Sequence, residues 1–131
     1  MTVGSSFRLG CLETLNNKWS GKMRVSEPVF IALEELRWIK ADGSEVRLIA
    51  KVGMPYKTDD GQYRCPVALE GLDARYPDIA GGSSMQALCL ATSLLATRLK
   101  YLLEDGERLS YVEDPEGSAW DIATLDAVFG R

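Results

Sequence analysis

Gly61–Leu72 reads GQYRCPVALEGL, and the placement of Cys65 within it decides the fold. Tyr63, Cys65, Val67 and Leu69 alternate with Arg64, Pro66, Ala68 and Glu70. A period of two marks a strand with one buried face. Cys65 then falls on the apolar face, and Arg64, its neighbour in sequence, points to the other. A thiol among apolar side chains stays protonated and inert, so Cys65 reads as structural rather than reactive. Pro66 has no backbone N–H to donate, so the strand must lie at a sheet edge, begin at that point, or bulge there.

Upstream, VFIALEELRWI from Val29 is a second strand, with Leu36 and Trp38 on one face and Glu35, Arg37 and Ile39 on the other. Asp42-Gly43 follows, a two-residue type I′ hairpin signal. In EVRLIAKVG, Val46, Leu48, Ala50 and Val52 alternate with Glu45, Arg47, Ile49 and Lys51, which makes a third strand. MPYKTDDGQ (54–62) reads as a loop. ARYPDIAG (74–81) adds a short strand carrying Tyr76 and Ile79, and RLSYV (108–112) another.

Downstream, GGSSMQALCLATSLLATRLKYLLEDG (81–106) is a helix from Ser84 to about Glu104. Ser83 and Gln86 form a Ser-x-x-Gln capping box, and Gly106 supplies the left-handed stop. At about 100° per residue, Met85, Leu88, Ala91, Leu95, Leu99 and Leu102 line one broad stripe that covers the sheet. Leu90, Leu94 and Tyr101 lie outside it. A helix on a sheet needs one apolar stripe, so these three call for a cover: the N-terminal arm, the C-terminal segment, or another molecule. Burying them is worth about 5 kcal/mol, comparable with a domain's net stability. The tail AWDIATLDAVFG (119–130) reads as a short amphipathic helix with Trp120 as a core or anchor residue, and it is the first candidate for that cover.

These elements predict an α+β domain of two layers. An antiparallel sheet of four to five strands packs on one long helix, and a short C-terminal helix follows. Arg37, Arg47, Lys51, Arg64 and Glu70 form the wet face, which an antiparallel sheet tolerates. Residues 27–131 make the single domain. Residues 1–26 read as an N-terminal arm or an extension, with Met23 a plausible start for the domain.

With 131 residues, the chain is long enough for one core and short for two. Its three cysteines, Cys11, Cys65 and Cys89, have no Cys-x-x-Cys spacing, which argues for free thiols in a reducing compartment and against a zinc site. It has no histidine, and this removes Ser-His-Asp and Cys-His catalysis along with histidine metal sites. Glu34 and Glu35 are adjacent on a strand and face opposite sides, so they do not form a catalytic pair. Asp59-Asp60 lacks calcium-loop spacing, and AGGSSM lacks phosphate-loop spacing. No cofactor or metal is expected.

The net charge of −4 is uneven. Arg8, Lys18, Lys22 and Arg24 face only Glu13 in the arm. Eight acids gather between Glu104 and Asp126, with Arg108 among them. Such a tail repels nucleic acid and attracts basic partners. No apolar run is long enough for a membrane span and no secretory leader is visible, so the expected location is cytoplasmic.

The order of features resembles a family of small bacterial domains of unassigned function. These have an aromatic-x-Cys-Pro strand ending in a Gly-Leu step, then a helix opening Gln-Ala-Leu-x-Leu-Ala. The matching positions are Tyr63, Cys65, Pro66, Gly71, Leu72, Gln86, Ala87, Leu88, Leu90 and Ala91. The resemblance implies the fold and a cytoplasmic origin, and carries no activity, cofactor or site residue.

Three functions follow as expectations. The first is a non-enzymatic protein-interaction module, binding itself or another protein through Leu90, Leu94, Tyr101 and Trp120. Its sharper form is an immunity-type protein that neutralises a basic toxin. The second is a small-molecule sensor with a pocket lined by Trp38, Tyr63 and Leu95. The third and least supported is an enzyme, because no convergent acid–base set is visible.

Overall fold

Asp42-Gly43 does close a hairpin, by a different turn from the one its dipeptide suggests. The structure, a computed structural model, describes residues 24–73, 75–114 and 118–131. In it β1 (Phe30–Ile39) pairs antiparallel with β2 (Glu45–Gly53), Leu36 opposite Leu48 and Trp38 opposite Val46. Lys40 and Ser44 close a three-residue loop, and Gly43 N–H donates to Lys40 C=O at 3.0 Å. Gly43 is at φ +89°, whereas no non-glycine residue described has positive φ. This is the type I turn plus left-handed glycine, not the type I′ turn. The Asp42 carboxylate holds it by accepting from Ser44 N–H at 2.9 Å.

The same device recurs in the stretch read as loop. Thr58 N–H donates to Gln62 C=O, Gly61 N–H donates to Thr58 C=O, and Gly61 sits at φ +85°. This turn joins a short strand, β3 (Tyr56–Lys57), to β4 (Tyr63–Cys65).

Pro66 then splits the opening stretch. β4 runs up to it and β5 (Val67–Glu70) starts directly after it. β4 lies between β3 and β6 (Ile79–Gly81) in a three-stranded sheet. β5 is an edge strand of a four-stranded sheet ordered β5-β2-β1-β7, where β7 is Arg108–Tyr111. The missing N–H thus falls where the chain changes sheets. One sheet was expected, and the chain builds two antiparallel ones.

The long helix α1 (Ser84–Glu104) is capped as expected. Ser83 Oγ accepts from Gln86 N–H, while the Gln86 amide oxygen takes Gly82 N–H rather than that of the cap residue. At the other end Gly106 N–H bonds Leu103 C=O and Glu107 N–H bonds Leu102 C=O, a Schellman stop. α1 packs across β6, β4 and β5, with weaker contact to β2 and β7. Ala87, Ala91, Leu95, Ala96 and Leu99 are buried in it, while Met85 in the first turn is exposed instead of covering the sheet. The tail forms α2 (Ile122–Val128), whose Leu125 is fully buried. The core joins Leu36, Leu48, Cys65, Val67, Leu69, Leu95, Leu99, Leu109, Trp120 and Leu125.

Of the expected wet face, Arg37, Arg47, Lys51 and Glu70 are paired: Arg37 with Glu45 at 3.4 Å, Arg47 with Glu35 at 3.2 Å and Lys51 with Glu70 at 2.6 Å. Arg64 departs from them. It belongs to the smaller sheet, where Nη1 donates to Asp78 C=O at 3.2 Å. The arm expected over residues 1–26 lies, up to residue 23, outside the described residues, and so does Cys11. Among the described residues no helix is long and apolar enough to cross a membrane.

Candidate functional site

β1 has ten residues, but β7 pairs only with its Leu36–Ile39 half. The Schellman turn returns the chain from α1 to start β7 at Arg108. The strand stops at Tyr111, where Asp114 N–H on Tyr111 C=O closes a turn. Asp114 C=O then accepts from Arg37 Nη2 at 2.9 Å. Phe30–Glu35 is left with β2 along one side and, among the described residues, no strand along the other. Strand edges of this kind carry unpaired N–H and C=O groups.

The open edge is apolar. Val29, Ile31 and Leu33 are each more than half exposed, and so is Met54, whose N–H bonds Val29 C=O at 2.7 Å. A bulge between Phe30 and Ala32 interrupts the register there. The Phe30 ring is covered by the Lys51 ammonium at 4.3 Å.

Where the edge meets the end of β7 it opens into a cleft of about 340 Å³, lined by Leu33, Glu34, Glu35, Tyr111, Val112 and Glu113. Glu34 shares the inner face with Leu36, and Tyr111 lies opposite Leu36 on that face. Burial, and then the nearby Glu113 charge, push the Glu34 carboxyl above its ordinary value. Glu35 is bonded to Arg47, whereas no ion pair reaches Glu34 or Glu113 among the described residues. The lining therefore offers three carboxylates and no cation.

A polar lock fixes the start of β1. The buried Asp78 carboxylate accepts from Tyr56 O–H at 2.6 Å, Val25 N–H at 2.8 Å and Arg75 Nη2 at 2.8 Å. Burial and the Asp78 charge raise the Tyr56 hydroxyl far above its ordinary value. Because Val25 precedes Phe30 by five residues, the lock sets the path by which the chain reaches the edge.

The residues expected to form an interface separate. Leu90 and Tyr101 stay 44% and 51% exposed on α1, and Leu94 is half-buried against the core. Trp120, grouped with them in the sequence reading, is instead a core residue, edge-on to Tyr111 with ring centroids 4.8 Å apart. The tail does pack on α1, and a second cleft of about 380 Å³, lined by Leu103 and Glu104, opens beside Trp120 and Asp121. The tail does not cover Leu90 and Tyr101, which stay exposed. The sensor residues are likewise split: Trp38 is in the larger sheet, Tyr63 in the smaller, and Leu95 is buried in α1. Neither cleft is lined by them.

Cys65 is buried as expected. Its Sγ donates to Gly53 C=O at 3.3 Å, and burial pushes the thiol up to about 11. The sequence signal of Val29, Ile31 and Leu33 is the unbroken apolar run VFIAL, which places greasy side chains on both faces of a strand.

A match to known families covers 35–122, from the middle of β1 to the start of α2, leaving most of the open edge upstream of it. No curated protein and no solved structure matches the chain. The matched stretch spans well over half of the sequence, and the chain belongs to the family described as Domain of unknown function (DUF6968).

Proposed function

We propose that this chain is a non-enzymatic protein-interaction module, and that its binding surface is the open edge of β1, which takes an extended segment of another protein as an added strand. The observation that carries this reading is the Phe30–Glu35 edge, which no strand pairs among the described residues, flanked by exposed Val29, Ile31, Leu33 and Met54. Strand addition supplies about six backbone hydrogen bonds over six residues, each worth about 1 kcal/mol net. Covering four half-exposed apolar side chains adds about 1 kcal/mol apiece. The α1 face offers less. Leu90 and Tyr101 are eleven residues apart, about 16 Å along the helix axis, and have no backbone groups to share.

The occupant is a different protein rather than nucleic acid or a second copy. The acidic cleft repels phosphate. A second copy brings the same uncompensated carboxylates and the same net charge of −4. An immunity-type role is the special case in which the partner is a basic toxin. The absence of histidine and the burial of Cys65 both support a non-catalytic role.

Amide hydrogen exchange tests the reading, with extended heptapeptides of alternating valine and threonine as the probe. Free protein should exchange quickly at outward N–H groups of 30–35 and slowly at 36–39, and the peptides should slow the first set. Protection appearing at Leu90–Tyr101 while 30–35 is unchanged would move the surface to α1. A dimer in light scattering that Ile31→Lys abolishes would make a second copy the occupant.

A further inference from the structure

We infer that the partner segment is basic as well as apolar: the strand that adds to β1 carries a lysine or arginine at the position facing Glu34, and the Glu34–Glu113 cleft receives it. This rests on strand addition at the β1 edge. A residue paired directly opposite Glu34 projects from the same face as Glu34. That face is the one shared by Leu36 and Tyr111, so the incoming side chain enters the cleft that Glu34, Tyr111 and Glu113 line.

Charge complementarity selects the occupant. The acids on the larger sheet's wet face have cations: Glu45 has Arg37, Glu35 has Arg47 and Glu70 has Lys51. At the cleft, Glu34 meets another carboxylate instead. A cation there relieves the repulsion and leaves Glu34 ionised. The apolar part of the edge lies to one side of this position, at Val29, Ile31 and Leu33. The fitting segment is therefore an extended run of apolar residues with a basic residue at one end. A wholly apolar strand leaves two carboxylates facing each other, and an acidic one adds a third.

The test compares the valine–threonine heptapeptide set carrying one lysine, moved through each position, with the same set carrying norleucine. Binding to the full-length protein is read by fluorescence anisotropy at low and high salt. At the best position, lysine should bind about tenfold more tightly than norleucine. The advantage should shrink at high salt and fall below about threefold in Glu34→Gln/Glu113→Gln, while norleucine peptides bind variant and wild type alike. Unchanged thermal melting shows that the variant is folded, and the salt arm stands on wild-type protein alone. Equal binding of lysine and norleucine peptides overturns the basic-partner inference while strand addition survives. If no peptide of either set binds or protects 30–35, strand addition itself fails and this inference with it.

Discussion

Asp78→Asn is the sharpest probe of how the chain is held at the edge. The carboxylate uses both oxygens: one accepts from Val25 N–H and Tyr56 O–H, the other from Arg75 Nη2. An amide keeps the shape and supplies only one acceptor. Whichever way it turns, its NH2 group faces a donor, either the Arg75 guanidinium or Val25 N–H. Removing one partner of a buried ion pair costs about 3–5 kcal/mol. Asp78 is fully buried but the Arg75 side chain is 24% exposed, so water recovers part of the loss and about 2–3 kcal/mol remains. For a domain of this size that is a drop in Tm of roughly 10–15 °C, read by circular dichroism at pH 7. Tyr56→Phe removes one donor and leaves the ion pair, so it should cost only about 1 kcal/mol. The Val25 amide should also exchange faster in Asp78→Asn. A variant melting within 2 °C of wild type would refute the lock, because a satisfied buried carboxylate cannot be neutralised at no cost.

Four further outcomes are expected. Gly71 sits at φ +97°, and a Cβ there would run into Arg47 C=O; Gly71→Ala should lose at least about 2 kcal/mol in urea unfolding. In a Cys11→Ser background, exposed Cys89 should react with a thiol reagent at pH 8 while buried Cys65 reacts only on unfolding. Because the folded Cys65 thiol ionises near 11 against 9.0 when unperturbed, its stabilisation is full below pH 9 and is lost as pH rises through 11, a slope that Cys65→Ala should lack. Ile31→Lys/Leu33→Lys places two cations on an already exposed edge, so stability should shift by less than about 1 kcal/mol while strand-peptide binding disappears.

What the sequence made legible was local. The α1 limits followed from Ser83, Gln86 and Gly106, whose caps act within a turn of themselves, and the burial of Cys65 followed from its period-two setting. The loop chemistry was half legible: Asp42-Gly43 marked the turn, but its type depended on Asp42 holding Ser44. The non-local part was hidden. Pro66 marked a break without saying that its two sides pair with different sheets. Asp78 gave no signal, since its partners Val25 and Tyr56 lie 53 and 22 residues away. The edge was hidden because its openness depends on where β7 stops, which is set across the sheet.

Tyr63–Cys65 and Val67–Glu70 are one uninterrupted piece of chain serving two sheets through Pro66. Neither sheet can be excised, transplanted or allowed to melt without dragging its companion, because the same eight residues, 63–70, carry a strand of each. Loss of structure should therefore begin at the margins, in the tail. A cut or insertion at 65–67 should abolish folding altogether, whereas one in the Asp42-Gly43 turn should be tolerated.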